Sequence, residues 1–164
     1  MQWLSDLYSI QKALNDSIDE KHGLKHSELF NEVTLAFLVE LGELANETRC
    51  FKFWSLKPPS ETAIILEEYV DGIHFLLSLG LDFGYTDVSG LRLAKTQHGN
   101  LTKSFLDVFS QTDRFRQTKS EEDFLTLFTI YLGLGADLGF DASQIEEAYM
   151  AKNAINYERQ RQNY

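Results

Sequence analysis

The sequence predicts an all-α fold in a single domain. Apolar residues recur with a period close to 3.6 along almost the whole chain, and no stretch alternates as a half-buried strand would. The only two prolines, Pro58 and Pro59, are adjacent, so long helices can form on either side of them. A chain of 164 residues with 43% apolar residues can bury one sizeable core. We therefore expect one compact domain over residues 1–164, with about five to six helices.

The composition argues against several classes of function. The formal net charge of −10 disfavours binding to a nucleic-acid backbone, which needs a basic surface. It is compatible with a small phosphorylated ligand, because bound metal can supply the positive charge. Cys50 is the single cysteine, so no intrachain disulfide can form. The sequence has neither a signal-peptide pattern nor an apolar run of membrane-spanning length, and we expect a cytoplasmic protein without membrane contacts.

The first predicted helix, residues 4–20, carries one polar residue in its apolar stripe. The stripe has heptad-like spacing and consists of Leu4, Leu7, Leu14 and Ile18. Gln11 occupies the position where a further apolar residue is expected. It is either a core or slightly exposed glutamine, bonded to backbone where it is buried, or an amide that recognises a ligand. The spacing alone favours the first interpretation.

The second predicted helix begins near Ser27 or Glu28, extends to about residue 49, and places acids on its apolar face. Each residue advances the helix by about 100°, so Glu40, Glu43 and Glu47 fall on one stripe. The residues on or beside that stripe are Val33, Ala36 and Leu44. The carboxylates therefore interrupt the face that should be buried.

The third predicted helix, capped by Ser60 and ending at Gly80, repeats the anomaly. Glu68 and Asp71 lie three residues apart, on the side of the helix that also carries Ile64, Gly72 and Phe75. Acids in two apolar stripes require neutralisation, and a divalent cation with oxygen ligands provides it. The alternative is that both acidic stripes are solvated helix faces. His74 is left out of the ligand set, since a lone histidine is more often packed or exposed.

The loop between these two helices combines aromatic and basic residues. Phe51, Phe53 and Trp54 are interleaved with Lys52 and Lys57. One interpretation is a hydrophobic loop tucked against the core. The other is a lid that offers a flat ring and two cations to an aromatic, anionic ligand. The sequence does not decide between them.

The C-terminal half is predicted to contain three further helices. Residues 81–100 are the least regular part and form a loop or a short helix. Helices follow over residues 101–117, from Ser120 to Gly139, and from a cap at Asp141 or Ser143 to near the end of the chain. One face of the last helix carries Lys152, Asn156 and Arg159, which by itself favours an exposed helix that is basic near its end.

Several common site motifs are absent from the sequence. It has no G-x-x-x-x-G-K-S/T, no G-x-G-x-x-G, no H-E-x-x-H and no Cys/His cluster. Nothing in the sequence marks Cys50 as a nucleophile, and we interpret it as packed.

The acidic pattern resembles the signature of the all-α nucleoside triphosphate pyrophosphatases. Glu40 and Glu43 form E-x-x-E, and E-x-x-D at Glu68 and Asp71 follows after 24 residues. More narrowly, the chain resembles the dimeric dUTPases. The segments that carry this resemblance are L-V-E-L-G-E-L-A-N-E, L-E-E-Y-V-D-G-I-H-F and A-Y-M-A-K-N-A-I-N-Y-E-R-Q, together with Gln11, the Trp54/Lys57 loop and the K-x-x-x-N-x-x-R pattern at Lys152, Asn156 and Arg159.

This resemblance implies Mg²⁺-dependent hydrolysis of dUTP to dUMP and pyrophosphate. It implies a homodimer whose four-helix core surrounds two or more Mg²⁺ ions, with water attacking the α-phosphorus. The implied metal ligands are Glu40, Glu43, Glu68 and Asp71. Glu40 or Glu43 would orient the water, and Glu47 would be a supporting carboxylate or base. The implied substrate-binding residues are Gln11 and Asn156 for the uracil edge, Trp54 for the nucleoside, and Lys57, Lys152 and Arg159 for the phosphates.

Two other functions fit the same residues. One is a helical pyrophosphatase that removes a different, unwanted nucleotide, with the same acids but other base contacts. The other is a binding module that captures a regulatory protein partner through its helical surface. The intact acidic quartet favours catalysis.

Overall fold

The computed structural model describes residues 1–97 and 99–164 and confirms the all-α prediction. These residues form six α-helices and a short 3-10 turn, His26–Glu28, and they contain no strand. The helices are α1 (Gln2–His22), α2 (Phe30–Thr48), α3 (Thr62–Phe83), α4 (Leu101–Thr118), α5 (Glu121–Asp137) and α6 (Ala142–Arg161). Within the described part of the chain, no single helix is long and apolar enough to cross a membrane, although α5 and α6, bent by 105°, pass that test together on length and composition.

Helix α3 is the centre of the fold. It packs against α1, α2, α5 and α6, while α4 pairs with α5 and touches α2. Its residues 76–80 are all buried, which accounts for the nearly continuous apolar run L-L-S-L-G. A helix that is apolar on every side belongs in the interior, where neighbours cover each face. Because α3 contacts α2 on one side and α6 on another, residues from all three helices can contribute to one site.

Two tyrosines lock α3 to α5. The rings of Tyr69 and Tyr131 stack with their centroids 4.8 Å apart. Each hydroxyl donates to the backbone carbonyl of the other residue, at 3.1 Å and 2.7 Å. The close approach requires glycine, since a Cβ on Gly72 would lie 2.0 Å from the Tyr131 hydroxyl and one on Gly135 would lie 2.3 Å from the Tyr69 hydroxyl. This pair fixes the helix that carries Asp71.

The predicted bounds of α3 are wrong at both ends. Gly80 does not end the helix, which continues to Phe83 and stops at Gly84, a left-handed residue. Gly80 is needed inside the helix because a Cβ there would lie 2.4 Å from the Tyr8 hydroxyl. Ser60 does not cap the helix either; its backbone N–H and hydroxyl bond Glu47 instead, and Glu61 occupies the cap position without a side-chain bond.

The remaining boundaries differ from the prediction by small amounts. Helix α2 starts at Phe30 because Leu29 is not helical, and the preceding 3-10 turn is tied to α1 through the Asp19 carboxylate, which accepts from the His26 backbone at 3.0 Å. Of residues 85–100, those that the structure describes form a loop, and His98 lies outside them. Asp141 rather than Ser143 caps α6, in a capping box with Gln144.

Candidate functional site

Three of the four predicted metal ligands meet where α2 packs against α3. Oxygen atoms of Glu40, Glu68 and Asp71 all lie within 4.8 Å of one another. Each of these side chains is partly buried, so the carboxylates sit at the edge of the core. The interpretation of both acidic stripes as solvated faces is therefore wrong for these three residues.

Burial raises the pKa of every member of this cluster, and repulsion between carboxylates adds to it. The pKa of Glu40 is raised to about 8 by burial, by a hydrogen bond with Glu43 and by the charge of Asp71. Burial, followed by the charges of Asp71 and Glu43, raises the pKa of Glu68. Burial also raises the pKa of Asp71 in spite of the nearby Lys152. The charge of Lys152 does not offset these effects, and several carboxylate oxygens close together suit Mg²⁺.

Glu43 and Glu47 lie on the outer side of the cluster. Glu43 is exposed and shares its hydrogen bond with Glu40, so its carboxyl group adjoins the three buried ones. Glu47 is half-buried and accepts the hydroxyl hydrogen of Ser60. Both acids line a surface groove that also reaches Glu68. The predicted stripe is therefore continuous, with Glu43 exposed between the partly buried Glu40 and Glu47.

Lys152 joins the last helix to the acids. Its ammonium lies 2.8 Å from Oδ2 of Asp71 and 3.1 Å from Oε1 of Glu67. Burial lowers the pKa of Lys152, but the bonds to the two carboxylates outweigh burial and raise it. The expectation of a simply exposed last helix is wrong at this residue, which is only 8% exposed. The sequence pattern did not reveal Glu67 as its partner.

A cavity of about 280 Å³ opens beside the acidic cluster, between α1, α3 and α6. Its lining includes Glu40 and Asp71, and α6 contributes Lys152, Asn156 and Arg159. The other lining residues come mainly from α1 and α3. One cavity is thus lined by acids that can bind cations, by two cationic side chains and by an amide. These groups match a ligand that carries both phosphates and a polar ring.

The comparison with protein families shows which family the chain belongs to. The dUTPase family profile matches residues 3–164. The chain belongs to the dimeric, all-α dUTPase family. Membership implies an enzyme with dUTP diphosphatase activity, and the family is generally metal-dependent, in keeping with the acidic cluster. No curated protein matches the chain.

In this dUTPase-family chain, Gln11 lies on the cavity wall and is also part of the core. It is 3% exposed and lines the cavity together with Asn15 and His74. Its amide oxygen accepts from Nδ1 of His74 and from the Tyr149 hydroxyl, both at 2.7 Å. Its amide nitrogen donates to Oδ1 of Asn15 at 2.8 Å and to Ser78 Oγ at 3.2 Å. Its partners are thus side chains rather than the backbone groups expected for a core glutamine.

Sequence reasoning missed His74 as part of this cavity. The residue lies three positions after Asp71, so one turn of helix places both on the same face. That spacing was visible, but the cavity wall that His74 helps to form needs α1 and α6 as well. Asn15, four residues after Gln11, was missed for the same reason.

The aromatic loop does not line the cavity formed by the described residues of one chain. Trp54 is 64% exposed, Phe53 is 94% exposed and Lys57 is at the surface, so the loop is not tucked against the core. Arg49 fixes its base by donating to the Lys57 carbonyl at 3.0 Å and to Ser55 Oγ at 2.7 Å. The rings thus project into solvent from an anchored loop.

Proposed function

We propose that this chain hydrolyses dUTP to dUMP and pyrophosphate with two or more Mg²⁺ ions held by Glu40, Glu43, Glu68 and Asp71. The observation that carries the proposal is the cluster of carboxylates with raised pKa values at one end of a cavity. A triphosphate and four acids repel one another without cations. Bound Mg²⁺ would neutralise both and would promote ionisation of water.

In this proposal, the carboxylates have different roles in the hydrolysis. Water attacks the α-phosphorus, the bond from that phosphorus to the bridging oxygen breaks, and pyrophosphate leaves. Glu40 or Glu43 orients the water, and Glu47 supports it or accepts its proton. The bond from Ser60 to Glu47 holds that carboxylate at the rim of the groove and supports this role.

The cavity wall supplies the nucleotide contacts in this proposal. Lys152 and Arg159 bind phosphates, since their cationic groups face the same space as the acids. Asn156 and Gln11 belong to the part that recognises the base. Trp54 and Lys57 reach the nucleotide when the exposed loop closes over it, which would remove a ring that is 64% exposed from water.

The proposal includes a homodimer. Leu35 and Val39, one turn apart on α2, are 63% and 50% exposed. The loop that follows α2 exposes Phe53 and Leu56 almost completely. Large exposed apolar side chains that lie together on a surface mark a protein interface. A second copy of the chain would cover α2 on its exposed side, next to the acidic cluster.

Pyrophosphate release from a panel of deoxynucleoside and ribonucleoside triphosphates tests the proposal. The assay is run with Mg²⁺ and with a chelator. We expect release from dUTP that the chelator abolishes. Release from several bases would retain the metal chemistry and assign the chain to the pyrophosphatases that remove unwanted nucleotides. No release from any nucleotide would overturn the proposal and favour a binding module.

A further inference from the structure

One of the acids in the cluster already has a cationic partner within the chain. Oδ2 of Asp71 lies 2.8 Å from Nζ of Lys152, and the two side chains are only 14% and 10% exposed. The carboxyl group of Asp71 is also one of the three whose oxygen atoms lie within 4.8 Å of one another. A divalent cation bound by Asp71 would therefore use a carboxylate that Lys152 already uses in the metal-free chain.

Lys152 cannot lose this partner without a replacement. Its side chain is largely withdrawn from water by the packing of α6 on α3. A buried charge that loses its partner is strongly unfavourable, because neither water nor another ion compensates it. Binding of a metal by Asp71 therefore requires a second anion that keeps the ammonium of Lys152 paired.

Glu67 has the position that this second anion needs. Its Oε1 lies 3.1 Å from Nζ of Lys152, and its side chain is 55% exposed. Glu67 precedes Asp71 by four residues on α3, so about one turn of helix places both carboxylates on the side that faces α6. In the described part of the chain, the acids grouped closely enough to hold a metal are Glu40, Glu68 and Asp71, and Glu67 is outside this group. Glu67 can therefore remain with Lys152 while Asp71 binds a metal.

We propose that Glu67 is a positioning residue, which retains the ammonium of Lys152 when Asp71 binds a divalent cation. The inference rests on the proposed function, since it assumes that Asp71 is a metal ligand. In the metal-free chain the two carboxylates share Lys152. When Asp71 binds a metal, the ammonium shifts towards Glu67 and stays on the cavity wall. Lys152 thus competes with the metal for Asp71, and Glu67 weakens this competition.

The affinity of the nucleotide-free protein for Mg²⁺ tests the proposal without any turnover. Glu67→Gln removes the charge of an exposed side chain and keeps its size, so the fold should be retained. We expect the Kd for Mg²⁺ to rise about tenfold, because Lys152 would lose its remaining carboxylate partner when Asp71 binds the metal. Lys152→Met removes the competing ammonium and should therefore lower the Kd. Isothermal titration calorimetry measures both changes.

The double variant separates positioning of Lys152 from direct attraction of the metal. In the Lys152→Met background, Glu67→Gln acts only through the field of its lost charge, which salt screens. The rise in Kd there should be at least about fivefold smaller than the rise in the wild-type background. Equal rises in both backgrounds would overturn the inference, because Glu67 would then attract the metal directly. Weaker Mg²⁺ binding by Lys152→Met alone would also overturn it.

Glu61→Gln is the matched control, because it makes the same change at an exposed acid at the start of α3. It should keep the wild-type Kd. The rise in Tm at a fixed Mg²⁺ concentration is a second readout, which also shows that each variant folds; it should be smaller in Glu67→Gln and larger in Lys152→Met than in the wild type. An unchanged Mg²⁺ affinity in Glu67→Gln would overturn this inference alone. A wild type that binds no Mg²⁺ would overturn the proposed metal site as well.

Discussion

At the scale of single residues, Glu40 shows most directly what the site requires. Its pKa of about 8 lies above the ordinary value of 4.5, so the folded chain without metal prefers the protonated carboxyl. Its contribution to stability is therefore complete below pH 4.5 and is lost as the pH rises towards 8. A cation that binds the ionised form reverses this loss. Metal binding and stability are thus linked through the same carboxylate.

The first prediction concerns Glu40→Gln, which removes the charge but keeps the shape. Turnover of dUTP should fall by about two orders of magnitude or more, since a metal ligand is lost. In chelator at pH 8 the variant should unfold at a higher temperature than the wild type, and at pH 4.5 the difference should disappear. Pyrophosphate release and thermal unfolding at both pH values measure this.

Glu32→Gln is the control for this variant, because Glu32 is an exposed acid on the same helix. It should change neither turnover nor the pH dependence of unfolding. Normal turnover in Glu40→Gln would remove Glu40 from the metal site. Unequal stability at pH 4.5 would mean that the effect comes from packing rather than from charge.

The second prediction concerns Asp82, near the end of α3. Its Oδ2 is buried without a hydrogen-bond partner, and burial raises the pKa to about 6. Stability from this group is complete below pH 3.8 and is lost as the pH rises through 6. Asp82→Asn should therefore be more stable than the wild type at pH 8, by roughly 1 kcal/mol or about 2–4 °C in Tm.

Thermal unfolding of Asp82→Asn at pH 8 and at pH 4 checks this prediction, and the gain should shrink at the lower pH. Asp6→Asn is a suitable control, since Asp6 is exposed and an asparagine oxygen there can still accept from Gln2. A gain of the same size at both pH values would contradict the assignment to an ionised Asp82.

At the scale of helices, the close packing of α3 against α5 depends on glycines, which have no side chain. The third prediction is that Gly135→Ala lowers Tm by roughly 4–10 °C, or about 1–3 kcal/mol, because the new Cβ would meet the stacked Tyr69 ring and hydroxyl at 2.3–3.0 Å. Gly135 is preferred to Gly72 for this test, since Gly72 adjoins Asp71 in the chain. Differential scanning calorimetry gives the shift.

Gly90→Ala is the matched control, because a Cβ there meets no atom within 4 Å and the backbone is not left-handed. It should change Tm by no more than about 1 °C. If Gly135→Ala behaved like Gly90→Ala, the tyrosine pair would be able to move apart. The contact between the two helices would then not fix the position of Asp71.

Helix existence was predictable, whereas helix ends were less so. The period of apolar residues is a local property, and it gave α1, α2 and α4–α6 to within a few residues. From the sequence alone, Gly80 looks like the residue that ends a helix. In the structure it lies inside α3, where the absence of a Cβ leaves room for the Tyr8 hydroxyl from α1. Only a contact between distant segments distinguishes the two uses of glycine.

At the scale of the whole molecule, two large apolar side chains of α2 are exposed next to each other. Leu35 and Val39 lie one turn apart on α2 and are 63% and 50% exposed. The chain has a mass of 18.8 kDa and a charge of −10, so an apolar face is unusual for so acidic a surface. This face is where the proposed second copy binds.

The fourth prediction is that Leu35→Glu disrupts the dimer. Sedimentation should give two chains of 18.8 kDa for the wild type and one for the variant, because a charge buried in an apolar interface is costly. Circular dichroism should show unchanged helix content. Met150→Glu, the same kind of change at a 43% exposed site on α6, should remain dimeric. A monomeric wild type would contradict the proposal directly.

The sequence by itself determined the fold class and the acidic stripe of each helix. The helical period, the spacing of Glu40 and Glu43 on α2 and the spacing of Glu68 and Asp71 on α3 are local properties, so they can be recognised without knowing how the helices pack. The family profile over residues 3–164 agrees with the resemblance seen in the same residues.

The tertiary structure alone decided which polar groups are buried together. Lys152 and Asp71 are 81 residues apart along the chain, yet their charged atoms lie 2.8 Å from each other. Gln11, His74 and Tyr149 come from three helices and meet in one network. Hydrogen bonds and burial depend on distances across the fold, and the local pattern of a sequence does not contain them.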